Sequence, residues 1–361
     1  MSLPSGPRIL FVVDAGQKVG GGHVMRSLTL ARALEGQGAS FAFLGPPAAN
    51  EVLEAFAPTA QRLSAASAEP RDLAAAVGRE QFDAIVFDHY QLGEREHRAM
   101  AQGRPVLVID DLANRPLGAD LVLDSGPERT AADYDGLIPD SARLLLGPSY
   151  APVRPEFAAL REPALAWRGE PVQRLLVAMG MTDVGGITGR VVERLRPRVG
   201  DAGLDIVLGA AAPSVPGLAK IARRDSRLML HVDTPHMARL TAEADIGVGA
   251  AGSSVWERCT LGLPSIMIVL ADNQRAAARA LAERGAAIVI DAQAPDFDEA
   301  LDRGVMRLLR DADLRRRLAA ASAEVCDGLG AGRTAEAFLK LIAARGAATD
   351  RALTNPNPER S

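Results

Sequence analysis

The sequence predicts an α/β protein made of two doubly wound domains facing a cleft, and three observations carry that expectation. Short β-branched or Leu-rich runs alternate with amphipathic Ala- and Arg-rich stretches along the chain. The alternation halts at REPALAWRGEP, Arg161 to Pro171, a charged and proline-containing run, and then begins again. The length of 361 residues amounts to two domains at roughly 150 residues each.

The first unit, 1–160, reads as strands at Arg8 to Val13, Ser40 to Leu44, Ala84 to Asp88, Pro105 to Asp110, Leu121 to Asp124 and Arg143 to Leu146. Helices start at His23, Ala49, Arg71 and Glu94, so each strand is returned by a crossover and the sheet is parallel. After a linker at 161–171, a second Rossmann-like unit spans 172–346. Its strands are Arg174 to Ala178, Asp205 to Leu208, Leu228 to Val232, Asp245 to Val248, Ser265 to Leu270 and Ala287 to Ile290. Helices around Asp298 to Leu309, Asp313 to Asp327 and Gly332 to Ala344 close it, and the polar tail 347–361 is expected to be disordered.

Composition narrows the function classes. Hydrophobic residues make up 48% and charged residues 24%, with 34 Gly and 23 Pro, which excludes fibrous and disordered chains. With 41 basic against 45 acidic residues the net charge is -4, so no global field draws nucleic acid or anionic membrane, and phosphate recognition must be local. The two cysteines, Cys259 and Cys326, lie in no C-x-x-C pair and near no His at ligand spacing, which argues against a disulfide scaffold or structural zinc. Met1 to Pro7 lacks a basic segment followed by an apolar run, and runs such as Ser265 to Ala271 fall short of the ~20 residues that span a bilayer. A cytoplasmic protein without integral membrane association is expected.

In doubly wound folds the chemistry sits on loops after strands. The first such loop, DAGQKVGGG from Asp14 to Gly22, ends in three glycines and leads into a helix at His23. Glycines let the backbone approach a ligand closely, and the helix start offers free N–H groups to an anion. The spacing is not G-x-G-x-x-G, so no dinucleotide fingerprint is present. His23 is a candidate base aimed into the cleft or a residue that packs the helix start; Asp14 is a ligand contact or a turn former. FDHY places Asp88, His89 and Tyr90 at a strand end, where they orient a water or form a solvated loop, with Tyr90 favoured as functional. Asp110, Asp111, Asn114 and Arg115 of DDLANR read better as capping and turn residues than as metal ligands.

In the second unit a strand runs into Gly249-Ala250-Ala251-Gly252-Ser253-Ser254 and a helix, offering amides and two hydroxyls to phosphate. Glu257 can accept both hydroxyls of a ribose, or reach back as the acid of a capping box, Ser254-x-x-Glu257. Asp272, Asn273 and Gln274 follow the next strand, and Gly180-Met181-Thr182-Asp183 follows the first, as further substrate contacts. Trp256, Met237 and Met267 read as core, and Cys259 as buried and inert.

Taken together, DAGQKVGGGHVMRSLTLA, FDHY, DDLANR, LLGPSYAPVRPEF, GMTD and AAGSSVWERCTLGLPSIMIVLADNQ, running from Ile9 to Gly332, resemble the UDP-sugar hydrolases of pseudaminic acid biosynthesis, relatives of the GT-B glycosyltransferases. The resemblance implies a GT-B fold, with the nucleotide on the second domain and the base on the first. It implies hydrolysis of UDP-2,4-diacetamido-2,4,6-trideoxy-β-L-altropyranose by water that His23 activates and Tyr90 helps to hold. Asp14, Gly21, Gly22 and Thr182 would line the substrate, Gly252, Ser253 and Ser254 would receive the diphosphate, Glu257 the ribose, and Asn273 and Gln274 the sugar or its phosphate. No cofactor is implied; a divalent ion such as Mg2+ at the diphosphate, and the oligomeric state, stay open. Two positions depart from the family pattern: Val12 stands where it usually has Arg, and Met181 where it usually has Gly. Alternatives are a glycosyltransferase, a hydrolase of another UDP-sugar, and a binding module without turnover.

Overall fold

A computed structural model describes residues 6–16, 20–67, 69–78, 80–168 and 171–354, with 348–354 by backbone alone. The first domain holds β1 (Arg8–Val13), β2 (Ser40–Leu44), β3 (Gln61–Leu63), β4 (Ala84–Asp88), β5 (Val106–Ile109), β6 (Leu121–Asp124) and β7 (Arg143–Leu146) in one sheet ordered β3-β2-β1-β4-β5-β6-β7. Every pairing in it is parallel. Helices α1 (Gly22–Glu35), α2 (Pro47–Phe56), α3 (Pro70–Val77) and α4 (Glu94–Ala101) make the crossovers. The run RILFVV shows why the strands read as unbroken apolar stretches: Ile9, Phe11 and Val13 enter the core beneath α1, while Leu10 and Val12 enter the core on the opposite face. Val12 is fully buried there, with no access to the cleft.

The second sheet, ordered β10-β9-β8-β11-β12-β13, is likewise parallel. Its strands are β8 (Arg174–Ala178), β9 (Gly203–Leu208), β10 (Leu228–Val232), β11 (Ile246–Ala250), β12 (Ser265–Val269) and β13 (Ile288–Asp291). α5 (Pro155–Ala166) leads into it, and α6 (Ile187–Leu195), α7 (Val215–Ala222), α8 (Met237–Glu243), α9 (Ser254–Thr260), α10 (Arg275–Glu283), α11 (Phe297–Arg310) and α12 (Ala312–Val325) flank it. Strand order reverses between β1 and β4 in one sheet and between β8 and β11 in the other. Ligand crevices open at such reversals, beyond the carboxyl ends of the strands. The loops after β1, β4, β8 and β11 are therefore the four that define the cleft.

Three elements differ from expectation. β3 is three residues, QRL, too short and too polar to show a strand pattern. The run expected as linker is helical to Ala166 and docked: the Arg161 guanidinium donates to the carbonyls of Thr260, Cys326 and Ala323 at 2.5, 3.0 and 2.7 Å. Its charge serves buried carbonyls at helix ends, not solvent. The final helix, α13 (Gly330–Thr354), runs past Ala344 because its helical sequence pattern does not break there, so 347–354 is not the disordered tail expected; 355–361 lies outside the described residues. Ala335 and Phe338 sit in the first domain's core, so α13, placed by sequence order in the second unit, packs on the first. Among the described residues no helix is long and apolar enough to cross a membrane.

Candidate active site

The first-domain side is built by a strand end and one helical face. The Asp14 N–H donates to the Asp88 carbonyl at 3.1 Å, which carries the β1–β4 pairing one residue further and lays the two loops side by side. Gly20 turns the chain in a left-handed conformation, φ 77°, open to glycine at no steric cost, and α1 then begins at Gly22. His23, Arg26 and Ser27 follow at i, i+3 and i+4 and share a face. All three converge on Asp88: its carboxylate accepts from His23 Nδ1 at 2.5 Å, Arg26 Nε at 2.8 Å and Nη2 at 2.6 Å, and Ser27 Oγ at 3.0 Å.

Asp88 is fully buried, which by itself would favour the neutral acid. The Arg26 and His23 contacts outweigh that, and the carboxyl is held well below its ordinary range. An ionised carboxylate can only accept, so His23 Nδ1 carries a proton, and in the neutral ring Nε2 is the acceptor. The 3.3 Å approach of Arg26 Nη2 to the same Nδ1 is then a contact between two donors that share one carboxylate oxygen. His23 is 5% exposed, which shields its ring from bulk water.

Tyr90 packs edge-on against His23, with ring centroids 4.5 Å apart. Its hydroxyl donates to Asp111 Oδ2 at 3.0 Å, and Arg26 Nη1 donates to the same oxygen at 2.9 Å. Burial, then Asp111, raises the phenol above its ordinary range, so Tyr90 stays protonated. With that proton committed to Asp111, Tyr90 can offer a water only a lone pair. From the second domain Asn273 Nδ2 donates to the Tyr90 hydroxyl at 3.2 Å, joining the two walls of the cleft.

Opposite α1 lies the loop after β11. Ser253 Oγ is 3.5 Å, and Thr182 Oγ1 3.7 Å, from where a Cβ on Gly22 and Gly20 respectively would lie. Met181 brings its Cε to 3.3 Å of the same point on Gly21, so the residue that departs from a family glycine fills space between the domains. Gln274 Oε1 accepts from the Leu270 N–H at 2.9 Å, which turns its Nε2 toward Gly252, 3.8 Å from a Cβ there. Glu257 makes no cap bond to the start of α9. Its Oε1 instead accepts from Arg154 Nη2 at 2.8 Å and Nε at 3.1 Å, and both side chains are mostly buried.

Gly20, Gly21 and Gly22 thus approach Thr182, Met181 and Ser253 across the cleft, Tyr90 meets Asn273, and Asp14 is a backbone neighbour of Asp88, while Glu257 is held by Arg154. Some expected roles change. Asp88 orients His23, not a water, and His89 is buried with Nδ1 accepting from the Gln91 N–H at 3.2 Å. Asp111, read as a turn former, belongs to the site; Asp110 is the turn residue, accepting from Leu112, Ala113, Arg115 and Tyr134. Asp183 is spent on the backbone N–H groups of Thr188 and Ser214. Of Arg26, Arg154 and Arg258, only Arg26 has a sequence signal, its i, i+3 spacing from His23. Cys259 is buried, its thiol pushed up to about 12 by burial and then by Cys326. Among the described residues no three His, Cys, Asp or Glu side chains converge to hold a metal ion.

Comparison with known proteins adds to this geometry. Residues 230–328 match the glycosyltransferase family 28 C-terminal domain. The chain is 26% identical over 281 residues, 77% of its length and 97% of the relative's, to the UDP-2,4-diacetamido-2,4,6-trideoxy-beta-L-altropyranose hydrolase of Campylobacter jejuni. It is 26% identical over 192 residues, 53% of its length and 56% of the relative's, to the spore coat polysaccharide biosynthesis protein SpsG of Bacillus subtilis. Among solved structures, MurG of Acinetobacter baumannii superposes with a TM-score of 0.62 at 19% identity, covering 92% of this chain and all of that one. The chain has the GT-B fold, its residues 230–328 resemble the glycosyltransferase family 28 C-terminal domain, and it is similar over most of its length to a UDP-sugar hydrolase.

Proposed function

We propose that this protein is an enzyme acting on a nucleotide sugar, and that it hydrolyses UDP-2,4-diacetamido-2,4,6-trideoxy-β-L-altropyranose to UDP and the free sugar in pseudaminic acid biosynthesis, the route to flagellin glycosylation. The observation that carries the reading is the His23–Asp88 pair at the switch point of one domain, facing the loop Gly252, Ser253 and Ser254 of the other. A base whose tautomer is fixed by a buried carboxylate is what activation of a water requires. In the reaction, His23 Nε2 takes a proton from water as the water oxygen bonds to the anomeric carbon. The bond from that carbon to the diphosphate oxygen breaks, and its electron pair leaves on UDP, met by the Ser253 and Ser254 hydroxyls and the Gln274 amide. Glu257 Oε2, free of Arg154, accepts from the ribose. A single displacement inverts the anomeric configuration. Asn273 and Tyr90 hold the cleft closed over the bound sugar.

The similarity to the Campylobacter hydrolase supports this substrate, and the likeness to a spore-coat polysaccharide protein supports a place in nucleotide-sugar metabolism. A second reading is transfer of the sugar to an acceptor, favoured by the GT-B fold; His23 would then deprotonate an acceptor hydroxyl. The two separate when the diacetamido substrate is incubated with wild type and His23→Ala and the products are followed by NMR. Free sugar of inverted configuration, absent with a His23→Ala protein that still binds UDP, supports the hydrolase. Tight UDP binding without turnover points to transfer or to another UDP-sugar.

A further inference from the structure

Beneath the proposed diphosphate loop lies an arginine that forms no ion pair with a carboxylate among the described residues. Arg258 is 1% exposed and ranks first among the largest fully buried side chains. Nη2 donates to the Ala250 carbonyl at 2.8 Å and Nη1 to Ser254 Oγ at 3.1 Å, while Nε is buried without a partner. Among the described residues none of its nitrogens meets a carboxylate; the adjacent Glu257 turns to Arg154 instead. The strand is cut to admit it, since a Cβ on Gly249 would stand 2.6 Å from Nη1.

A buried unpaired cation is costly, and proteins place few of them without a counter-charge. Arg168 shows how the cost is ordinarily met in this fold. Among the described residues it too meets no carboxylate, but its three donor nitrogens meet the carbonyls of Thr241, Ala244 and Leu261, at the negative ends of α8 and α9. Arg258 has one carbonyl, one hydroxyl and one idle N–H, and although it stands in the last turn of α9 its guanidinium reaches back to Ala250 and Ser254 at the helix start, where no such negative end exists. Burial lowers its pKa only to about 10, so it stays charged at neutral pH. α9 itself spans just seven residues, so its dipole is a weak source of positive potential. The side chain supplies what the helix does not.

We infer that Arg258 is a positioning residue whose missing counter-ion is the diphosphate of the bound nucleotide, an inference that rests on the reading of this loop as the UDP site. It acts in two ways. Because Ser254 Oγ accepts from Nη1, the Ser254 proton is left to donate outward, toward a phosphate oxygen. The guanidinium also holds a full positive charge under the loop in a low-dielectric setting, where charge developing on the leaving group is stabilised most. The same charge makes the empty loop costly and the filled loop favourable, so the site favours diphosphate over an uncharged nucleoside.

The test compares wild type, Arg258→Met, Arg258→Lys and Ser254→Ala as full chains, by calorimetry with UDP, uridine and inorganic pyrophosphate and by thermal unfolding. Arg258→Met is expected to weaken UDP and pyrophosphate about 10- to 100-fold, the range for a charge-assisted contact, while uridine changes by less than about threefold. Its ligand-free melting temperature should equal or exceed that of wild type, because an unpaired charge has been removed. Arg258→Lys should recover part of the UDP affinity, and Ser254→Ala, which leaves the core intact, should lose UDP affinity selectively. Equal weakening of UDP and uridine, or a lower melting temperature with unchanged affinity ratio, would make Arg258 a structural residue and overturn the inference. Wild type that binds UDP while Arg258→Met and Ser254→Ala keep its UDP-to-uridine ratio overturns this inference alone; wild type that binds neither UDP nor pyrophosphate overturns the nucleotide reading as well.

Discussion

Replacing Asp88 by Asn probes the site at its most connected atom pair. The carboxylate accepts four hydrogen bonds, from His23, twice from Arg26, and from Ser27. An amide keeps the shape but has one accepting oxygen and one donating nitrogen. If the nitrogen faces His23, it donates to Nδ1, the imidazole takes the other tautomer, and Nε2 carries a proton where a base is needed. Arg26 donates to both oxygens, Nη2 to the one beside His23 and Nε to the one beside Ser27, so in either orientation the amide nitrogen also opposes an Arg26 donor. The first arrangement costs turnover about 10^3- to 10^4-fold, about 4–5.5 kcal/mol of barrier, the size of effect that a wrong tautomer produces in hydrolytic triads. Stability should fall as well, by about 3 kcal/mol, because Arg26 loses a buried partner and keeps only Asp111. UDP affinity should change by less than about threefold, since the diphosphate loop belongs to the other domain. The assays are UDP release under saturating substrate, calorimetry with UDP, and thermal unfolding on the same preparation. A folded Asp88→Asn protein turning over within about tenfold of wild type would refute the reasoning.

Glu257→Gln is expected to weaken UDP about 10- to 100-fold with a smaller loss in turnover number; unchanged affinity by calorimetry would sink the ribose assignment. Gly249→Ala places a Cβ 2.6 Å from Arg258 Nη1 and 2.8 Å from the Ala178 carbonyl, so about 2–3 kcal/mol of stability should be lost in a denaturant titration, and an unchanged midpoint would show that the strand end yields. His97 is fully buried, and burial, then Arg115, lowers it to about 3 from an ordinary value of 6.5. Its contribution to stability is fully present above pH 6.5 and is lost as pH falls toward 3, about 2 kcal/mol of it gone by pH 5. His97→Gln should flatten the difference in stability between pH 7.5 and 5, and an unaltered slope would place the titration elsewhere.

Much of this architecture is written in local pattern. RILFVV and SIMIV are apolar throughout because both faces of a parallel sheet are covered, and the glycines before His23 announce a backbone that approaches something closely. What local pattern withholds is pairing at a distance. Asp88 lies 65 residues from His23 and Arg154 lies 103 from Glu257, so neither partnership has a sequence signature. Asp111 looks like a turn residue because Asp110 beside it is one; only the packed chain brings its carboxylate to Arg26 and Tyr90. The capping box at Ser254 and Glu257 fits the sequence as well as any, yet Arg154 competes for the carboxylate and wins. α13 reads as a helix of the second domain and becomes part of the first because Ala335 and Phe338 complete its core, a fact that only the packed chain discloses.

The central claim is that water, activated by His23, attacks the anomeric carbon. A single turnover of the diacetamido UDP-sugar in 18O-water, with both products read by mass spectrometry, tests it directly. One 18O in the free sugar and none in UDP, with His23→Ala inactive, is the expected result; 18O in the UDP phosphate, or full turnover without His23, would contradict it.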